Sequence, residues 1–404
     1  MTDLKSRKQK FSKAMILVTV ILMDILGGSE VDLFVPSFPE LQSLFALSIV
    51  QVESLLSINF IGFCLSLLFV GALADRYGRK PIILLGLIIF IIGSILCLWA
   101  ISYRFLLTGR FLQGIGAAAP ATLCFLIIAD SYSLKQQQFL MAMLNGIVNT
   151  SIAAAPIVGS YITLYFHWQG NFMVLLLAGV VVLVMTLVFI PNYKLPEHKE
   201  TLSLREYIPI FRSKPLILLI VTFVFMCVPY WVFVGMSPLL YIEDLGVSLS
   251  QFGYYQGSLA LVFALGCVIA GFFIKKYDQA KMLHRAGLIC IIGFISIALV
   301  AFLDSHDPLL ITLSMLPYII GTIIPCMMIY PLCLHLIPKI KGRIAGLIQG
   351  SRLIFSALGL ELAGYFYTGS FRNIGIIVSG SFLIAVITLL IVVRDKELMK
   401  ISQK

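Results

Sequence analysis

The stretch KAMILVTVILMDILGGSEVDLFVP, residues 13–36, is long and apolar enough to cross a lipid bilayer as a helix. It nevertheless carries three acidic residues, Asp24, Glu30 and Asp32. Asp24 lies eleven residues after Lys13, which is about 16 Å along a helix and therefore near the middle of the hydrocarbon. A carboxylate at that depth costs at least about 2.5 kcal/mol, so we expect Asp24 to face a wet interior and to serve a function.

The three acids point in different directions from the helix axis. At 100° per residue, Asp24 and Asp32 are about 80° apart and can line the same cavity. Glu30 lies about 120° from Asp24 on the other side of the helix and about 160° from Asp32. We therefore predict that Asp24 and Asp32 are the principal acids of a proton and substrate site. For Glu30 two interpretations stay open, a weaker part in that site or a place at the membrane interface.

Apolar segments of spanning length recur from one end of the chain to the other. Hydrophobic residues make up 60% of the 404 residues and charged residues only 12%, a composition that excludes a soluble globular protein. The eight cysteines lie inside the apolar segments and are interpreted as buried apolar side chains, not as disulfides or metal ligands. We predict an all-α membrane protein with twelve transmembrane helices, near residues 14–36, 49–73, 81–101, 104–128, 138–165, 171–191, 215–240, 251–274, 283–303, 308–335, 344–368 and 372–393.

The basic residues alternate between the two sides of this topology. Of the 29 Lys and Arg residues, 25 lie in the two termini and in every second connection. The opposite connections carry only Arg104 and Arg372, while Arg110 and Arg352 lie inside spans. By the positive-inside rule, both termini are cytoplasmic. The net charge of +10 is therefore a topology signal and does not indicate nucleic-acid binding.

A charged segment, NYKLPEHKETLSLREYIPIFRSK at residues 192–214, divides the twelve spans into six and six. We expect an N-terminal six-helix bundle over residues 1–191, a cytoplasmic linker over 192–214 and a C-terminal six-helix bundle over 215–404. Two six-helix halves with a binding site between them are a recurring design of transporters.

The loop after the second span reads GALADRYGRK, residues 71–80. A glycine permits close helix contact or a tight turn, and basic residues keep the loop in the cytoplasm. The decapeptide resembles the signature loop of the major facilitator superfamily. The resemblance implies the fold of that family, two pseudo-symmetric six-helix bundles, and implies that Asp75 braces the two halves at the N-terminus of a facing helix. The residues that match the signature are Gly71, Asp75, Arg76, Gly78, Arg79 and Lys80.

The fourth span contains GRFLQGIG at residues 109–116, which is similar to a motif of the same superfamily whose arginine is linked to proton coupling. Arg110 is that arginine, and it lies at about the depth of Asp32. A buried guanidinium needs an anion, so we predict that Arg110 pairs with Asp32. The alternative is that Arg110 extends outward to the membrane interface.

The fifth span contains AAPIVG at residues 154–159, which partly matches the Pro/Gly motif of the antiporter branch through Pro156 and Gly159. Small residues allow tight helix packing, and Pro156 bends the helix. The first span resembles that of the Bcr/CflA-type multidrug antiporters, which have two acids eight residues apart and a proline four residues later. Asp24, Asp32 and Pro36 have that spacing.

The other candidates are less specific. Tyr230 and Trp231 in the seventh span form an aromatic pair suited to a lipophilic or cationic ligand, and Asn145 and Asn149 of the fifth span are candidates for lining the cavity. Glu361 in the eleventh span is a weaker candidate, because it is acidic within a span but approaches the outer interface.

We interpret the chain as a proton-coupled secondary transporter that exports lipophilic, cationic, drug-like compounds by alternating access. The resemblance implies a monomer in the bacterial cytoplasmic (inner) membrane, and the expected partners are a small-molecule substrate, protons and the lipid bilayer, with no nucleic acid. The sequence has no nucleotide-binding loop, metal-ligand cluster or nucleophile triad, so we expect no cofactor, no metal and no enzymatic activity.

Two alternatives stay open at this point. The first is a dedicated metabolite or siderophore transporter of the same fold, working as exporter or importer. The second is a gated channel or a sensor without transport activity. Uphill accumulation driven by a pH gradient separates a carrier from a channel.

Overall fold

The computed structural model describes residues 2–131, 134–192, 208–274, 277–337 and 340–395, and its regular elements in these ranges are helices. Two short segments of other helix types extend the longer helices: a 3₁₀ turn at Val35–Ser37 follows the first helix, and a π-helical turn at Leu239–Asp244 follows the eighth. The helices are α1 Thr2–Phe34, α2 Phe38–Phe45, α3 Ile49–Tyr77, α4 Arg79–Leu98, α5 Tyr103–Ser131, α6 Leu134–Phe189, α7 Ile208–Arg212, α8 Lys214–Pro238, α9 Leu249–Ile274, α10 Gln279–Phe302, α11 Pro308–Leu336, α12 Lys341–Phe366 and α13 Phe371–Arg394.

Ten helical stretches in the described part are long and apolar enough to cross a membrane. One of them, Thr150–Phe189, has 40 residues and covers the second part of the predicted fifth span together with nearly all of the sixth. Helix α12 is not among the ten, although its 26 residues reach about 39 Å. Its charged residues lower its hydropathy. Counting α6 as two crossings and including α12 gives the twelve spans predicted from the sequence, so the all-α membrane fold class is confirmed.

A sharp break at His167 divides α6 into two crossings. His167 has φ 58° and ψ −177°, a conformation that non-glycine residues rarely adopt. Glu40 of α2 stabilises the break, because one carboxylate oxygen lies 2.9 Å from His167 Nδ1 and the other accepts the Trp168 N–H at 2.8 Å. The predicted fifth and sixth spans are thus correct, but a single residue separates them where a loop was expected.

The helices pack as two groups, one before residue 192 and one after residue 208. In the first group α4 packs on α5, α3 on α5 and α1 on α6, and in the second α10 packs on α11, α8 on α13 and α10 on α13. The most extensive contacts between the groups are those of α6 with α9 and of α3 with α12. Most of the predicted linker lies outside the described residues, and only Asn192 and residues 208–214 of it are described.

The two groups touch near one end of the bundle. We call this end, where α3 begins and α2 lies, the acidic end, and we call the opposite end, which has the Lys- and Arg-rich connections, the basic end. Along α3 and α12 the contact runs from Val50 beside Gly364 to Cys64, whose thiol lies 3.6 Å from the Gly350 carbonyl oxygen.

Beyond that point the two groups separate. A methyl group added at Gly71 of α3 or at Gly346 of α12 would meet nothing within 4 Å. On the second helix pair, the contacts of α6 with Gly253 and Gly257 of α9 also lie toward the acidic end. The structure is therefore closed at the acidic end and separates toward the basic end.

We expect Glu40→Ala to destabilise the protein by about 1 kcal/mol, because the Trp168 N–H then loses its capping acceptor. Glu40→Gln retains an acceptor for that N–H and is the matched control, with an expected loss of less than half as much. Thermal unfolding in detergent measures both. Equal losses for the two variants would mean that the charge of Glu40, and not its capping bond, stabilises the break.

Candidate functional site

The centre of the buried polar residues in the first group is Arg110 of α5, whose side chain is fully buried. Its Nη1 lies 3.6 Å from Glu30 Oε2 and donates a hydrogen bond to Gln113 Oε1 at 2.8 Å. Its Nε donates to the Leu55 carbonyl oxygen at 3.3 Å, and its guanidinium lies 4.7 Å from the centre of the Phe34 ring. The arginine is thus held by an anion, two neutral acceptors and an aromatic face.

The predicted pair of Arg110 with Asp32 is wrong, because Glu30 is the acid that Arg110 contacts. The two acids differ in depth by only about 3 Å but point about 160° apart around α1. The packing of α1 against α5 decides between them, since it turns the Glu30 side of α1 toward Arg110. The interfacial placement of Glu30 is wrong as well, because only 1% of this residue is exposed.

A second row of polar side chains supports the arginine. Gln113 donates from Nε2 to the Ser94 hydroxyl at 2.8 Å, and that hydroxyl donates to the Phe90 carbonyl oxygen at 2.9 Å. Gln113 and Ser94 are both fully buried. Neither residue was among the predicted site residues, although Gln113 lies three residues after Arg110 and therefore on the same face of α5.

Asp32 lies instead at the contact between the two helix groups. It is fully buried, its Oδ1 accepts a hydrogen bond from Gln256 of α9 at 3.4 Å, and its Oδ2 has no hydrogen-bond partner. Tyr230 of α8 interacts electrostatically with Asp32, and its hydroxyl also lacks a partner. Asp32 therefore joins α1 of the first group to α9 of the second and keeps one oxygen available.

Asp24 lies two helical turns from Asp32 toward the middle of α1. It is 7% exposed, and its Oδ2 has no hydrogen-bond partner. It also interacts electrostatically with Cys124 of α5. A buried carboxylate oxygen without a protein partner can bind a proton or a cation without giving up a hydrogen bond to the protein.

The predicted aromatic residues of α8 lie at the same contact between the groups. The Trp231 ring is 5.2 Å from the Phe60 ring of α3 and 5.6 Å from the Tyr230 ring. The Tyr318 hydroxyl accepts from the Tyr230 N–H at 3.1 Å and donates to the Met226 carbonyl oxygen at 2.7 Å. The Tyr318 hydroxyl thus lies between the Met226 carbonyl oxygen and the Tyr230 N–H in the backbone of α8. This contact positions the Tyr230 and Trp231 rings. The side chains of Asn145 and Asn149 lie outside the described part of the structure.

The fifth-span motif packs directly beside Asp32. A Cβ at Gly159 would lie 2.1 Å from the Leu33 carbonyl oxygen of α1, closer than any side chain allows. The Pro156 carbonyl oxygen would lie 2.9 Å from a Cβ at Gly253 of α9. The motif therefore provides the close approach that brings α1, α6 and α9 together at this point.

The signature loop lies at the basic end. Gly78 ends α3 with φ 95°, and Lys80 donates to the Leu187 carbonyl oxygen at 2.8 Å. The Arg76 guanidinium lies 5.2 Å from the centre of the Tyr77 ring. Arg79 is the first residue of α4. Gly71 is exposed where the helix groups have separated. The side chain of Asp75 lies outside the described part, so its predicted bracing role remains a prediction.

A further acidic pair lies at the acidic end of the contact between α3 and α12. Glu361 of α12 accepts a hydrogen bond from the Ser54 hydroxyl of α3 at 2.9 Å. Beside it, Glu53 is fully buried and neither of its carboxylate oxygens has a hydrogen-bond partner. Glu53 was not among the predicted site residues, although an acid inside an apolar span was the signal that selected Asp24.

The fold and these buried charges define a multi-pass membrane protein of two six-helix halves that meet at polar side chains. In the described residues, no group of three or more His, Cys, Asp or Glu side chains is arranged to hold a metal ion. Residues 20–360 match the sequence profile of the Major Facilitator Superfamily, and the chain belongs to this superfamily.

Similar proteins agree with this assignment. The bicyclomycin resistance protein homolog of Haemophilus influenzae is 28% identical over 300 residues, which cover 73% of this chain and 75% of that protein. The multidrug resistance protein MdtL of Klebsiella pneumoniae is 29% identical over 247 residues, 59% of this chain and 61% of that protein. Both are drug-resistance proteins by name, the type that the first span resembles.

Solved structures share the fold at low sequence identity. A D-xylose–proton symporter superposes with a TM-score of 0.75 at 15% identity, covering 94% of this chain and 97% of the symporter. A bacterial homolog of the human lysosomal transporter Spinster superposes with a TM-score of 0.73 at 17% identity, covering 97% of both chains. The predicted major facilitator fold is confirmed.

We expect Gly159→Ala to destabilise the protein, because its methyl group would overlap the Leu33 carbonyl oxygen and push α6 from α1, at a cost of about 1–3 kcal/mol. Gly71→Ala is the matched control, since a methyl group there meets nothing within 4 Å, and we expect no loss of stability from it. Thermal unfolding in detergent measures both. An unchanged melting temperature for Gly159→Ala would contradict the close approach of α1 and α6.

We expect strong coupling between Arg110 and Glu30 in a double-mutant cycle. Each of Arg110→Gln and Glu30→Gln leaves a buried charge without its partner, at a cost of about 3–5 kcal/mol, and the double variant should lose far less than the sum. Asp32→Asn combined with Arg110→Gln is the control and should be nearly additive. Additive losses for Arg110 and Glu30, measured by unfolding, would show that the two are not partners.

Proposed function

We propose that this protein is a proton-coupled antiporter that exports lipophilic, cationic, drug-like compounds by alternating access. The observation that carries the proposal is the pair of buried carboxylates on α1, Asp24 and Asp32, each with one oxygen that no protein group satisfies. Acids inside a membrane are retained where they bind protons or ions. The printed names of the two similar proteins, bicyclomycin resistance and multidrug resistance, support drugs as the cargo.

The position of Asp32 supports a coupling role. Its hydrogen bond to Gln256 crosses between the halves, so it exists only while the acidic end is closed. An ionised carboxylate is costly in that dry contact, whereas a protonated one is cheap. Proton binding at Asp32 therefore favours closure of the acidic end, and proton loss favours its opening.

Asp24 is the proposed site of competition between proton and cargo. A carboxylate that has released its proton attracts a cation, and one that has bound a proton does not. Tyr230 and Trp231 line the same contact and offer aromatic faces to a lipophilic cation. The charge of Arg110 is neutralised by Glu30. The role of this pair is to fix the position of α1, which carries Asp32, against α5.

The proposed orientation follows from charge. The basic end faces the cytoplasm of a bacterium, with both termini there, because loops rich in Lys and Arg are retained on that side. The bundle is separated at the basic end, so the structure represents the inward-open state of the carrier. Residues 1–191 and 215–404 are the two rocking halves of a monomer, and Asp75 braces them when the basic end closes.

We expect Asp24→Asn to abolish drug transport driven by a pH gradient, because asparagine cannot exchange a proton. Transport is measured in everted membrane vesicles with a screen of lipophilic cations and a fluorescent readout of proton flux. The control is Asp307→Asn, an exposed helix N-cap residue that asparagine replaces equally well, and it should transport normally.

Two results would contradict the proposal. Undiminished driven transport by Asp24→Asn would remove this acid from the mechanism. Proton flux that responds to a metabolite or siderophore and to none of the lipophilic cations would assign the protein to the alternative cargo class.

A further inference from the structure

Glu53 is the least compensated charged group in the described part of the structure. It lies in the first turns of α3 at the acidic end, it is fully buried, and both of its carboxylate oxygens lack a hydrogen-bond partner. Arg110, Asp32 and Glu361 each have at least one polar contact. A carboxylate with none is far more stable in its neutral, protonated form.

Glu53 is enclosed by the second half of the protein. Its Oε2 would lie 2.9 Å from a Cβ at Gly235 of α8, and its Cγ would lie 3.3 Å from a Cβ at Gly364 of α12. The absence of side chains at these two glycines makes the space that Glu53 occupies. The side chain is therefore buried by the contact between the halves, and separation of the halves at the acidic end would expose it to water.

The titratable groups around Glu53 are acids and tyrosines. From α12 the carboxylate of Glu361 interacts electrostatically with Glu53, and Tyr367, which follows α12, also does so. Tyr367 donates to Asp244 of the π-helical turn and interacts with Glu243 there.

On the other sides, α8 presents Gly235 to Glu53, and Tyr103 of α5 interacts with Glu361. Within the described part of the chain, the charged group that acts directly on Glu53 is thus a second carboxylate.

We propose that Glu53 and Glu361 form a second proton-binding site, separate from the acids of α1, and that the acidic end of the carrier closes only when this site holds a proton. Closure buries Glu53 beside a second carboxylate, and burial and the like charge both disfavour ionisation of Glu53. Opening of the acidic end hydrates Glu53 and releases the proton. The site therefore links the pH of the compartment at the acidic end to the closed state.

This inference rests on the proposed alternation between two open ends, but its test needs no substrate. Drug export can therefore fail as a proposal while the proton-dependent closure stands, and the reverse also holds. The readout is the distance between the halves at the acidic end, which is also distinct from the transport measured for Asp24.

The experiment places spin labels at Leu44→Cys and Leu303→Cys and measures their separation by pulsed electron paramagnetic resonance between pH 5 and pH 9. Both side chains are exposed, at 59% and 63%, and they lie on opposite halves. The eight native cysteines are buried or half-buried, and the chain without the added cysteines measures their background. In the parent we expect the short, closed distance to dominate at low pH and the longer distance to grow as the pH rises.

The decisive variant is Glu53→Gln, which is nearly isosteric and permanently neutral. One proton fewer is then released on opening. In the parent, that proton changes the closed-to-open ratio by up to about tenfold per pH unit. We expect the variant to lose this contribution to the pH dependence. The closed distance should then persist at high pH. Asp307→Asn, an exposed acid at the same end, is the control and should retain the parent's pH dependence. An unchanged dependence in Glu53→Gln overturns the proposal.

A second variant decides the question if Glu53→Gln fails to fold. Glu361→Gln removes the like charge beside Glu53, so an ionised Glu53 costs less in the closed contact and the acidic end should stay closed to higher pH. We expect the midpoint to rise by about 1 pH unit. A midpoint that stays at the parent's value shows that the two carboxylates do not share a proton and overturns the proposal.

Discussion

The cost of placing charge in a medium without water governs the arrangement of this protein. The buried ionic groups in the described residues differ in how far their neighbours compensate that cost. Arg110 is opposed by Glu30 and surrounded by two acceptors and an aromatic ring. Asp32 has one hydrogen bond across the halves, and Glu53 has none. This gradation separates an ion pair inside one half from buried acids that have one hydrogen bond or none.

That distinction connects structure with motion. The ion pair of Arg110 and Glu30 loses its compensation if its helices move apart, so it holds α1 and α5 together. Asp32 and Glu53 are buried by contacts between the halves, where α1 meets α9 and α3 meets α8 and α12. In the proposed transport cycle, movement of the halves changes their access to water and hence their affinity for protons. The protein therefore combines an ion pair inside one half with buried acids between the halves.

Glycine determines where these contacts form. Gly159 allows the Leu33 carbonyl of α1 to approach α6, which brings Asp32 toward α9, while Gly235 and Gly364 leave the space that Glu53 fills. At the basic end the corresponding positions, Gly71 and Gly346, have no neighbour within 4 Å. Small residues thus line the interface at both ends, and in this state only those at the acidic end are in contact.

The sequence by itself determined the class of fold, the number of spans and the identity of most buried ionic residues. Apolar length, the alternation of basic loops and the spacing of motifs are local properties, and the bilayer imposes them strongly. The tertiary structure decided which charges meet. Depth along a helix can be counted from the sequence, but Glu30 and Asp32 differ little in depth, and only the rotation of α1 against α5 directed Glu30 to Arg110. Glu53 was missed because its burial comes from glycines on α8 and α12, nearly 200 and more than 300 residues away in the chain.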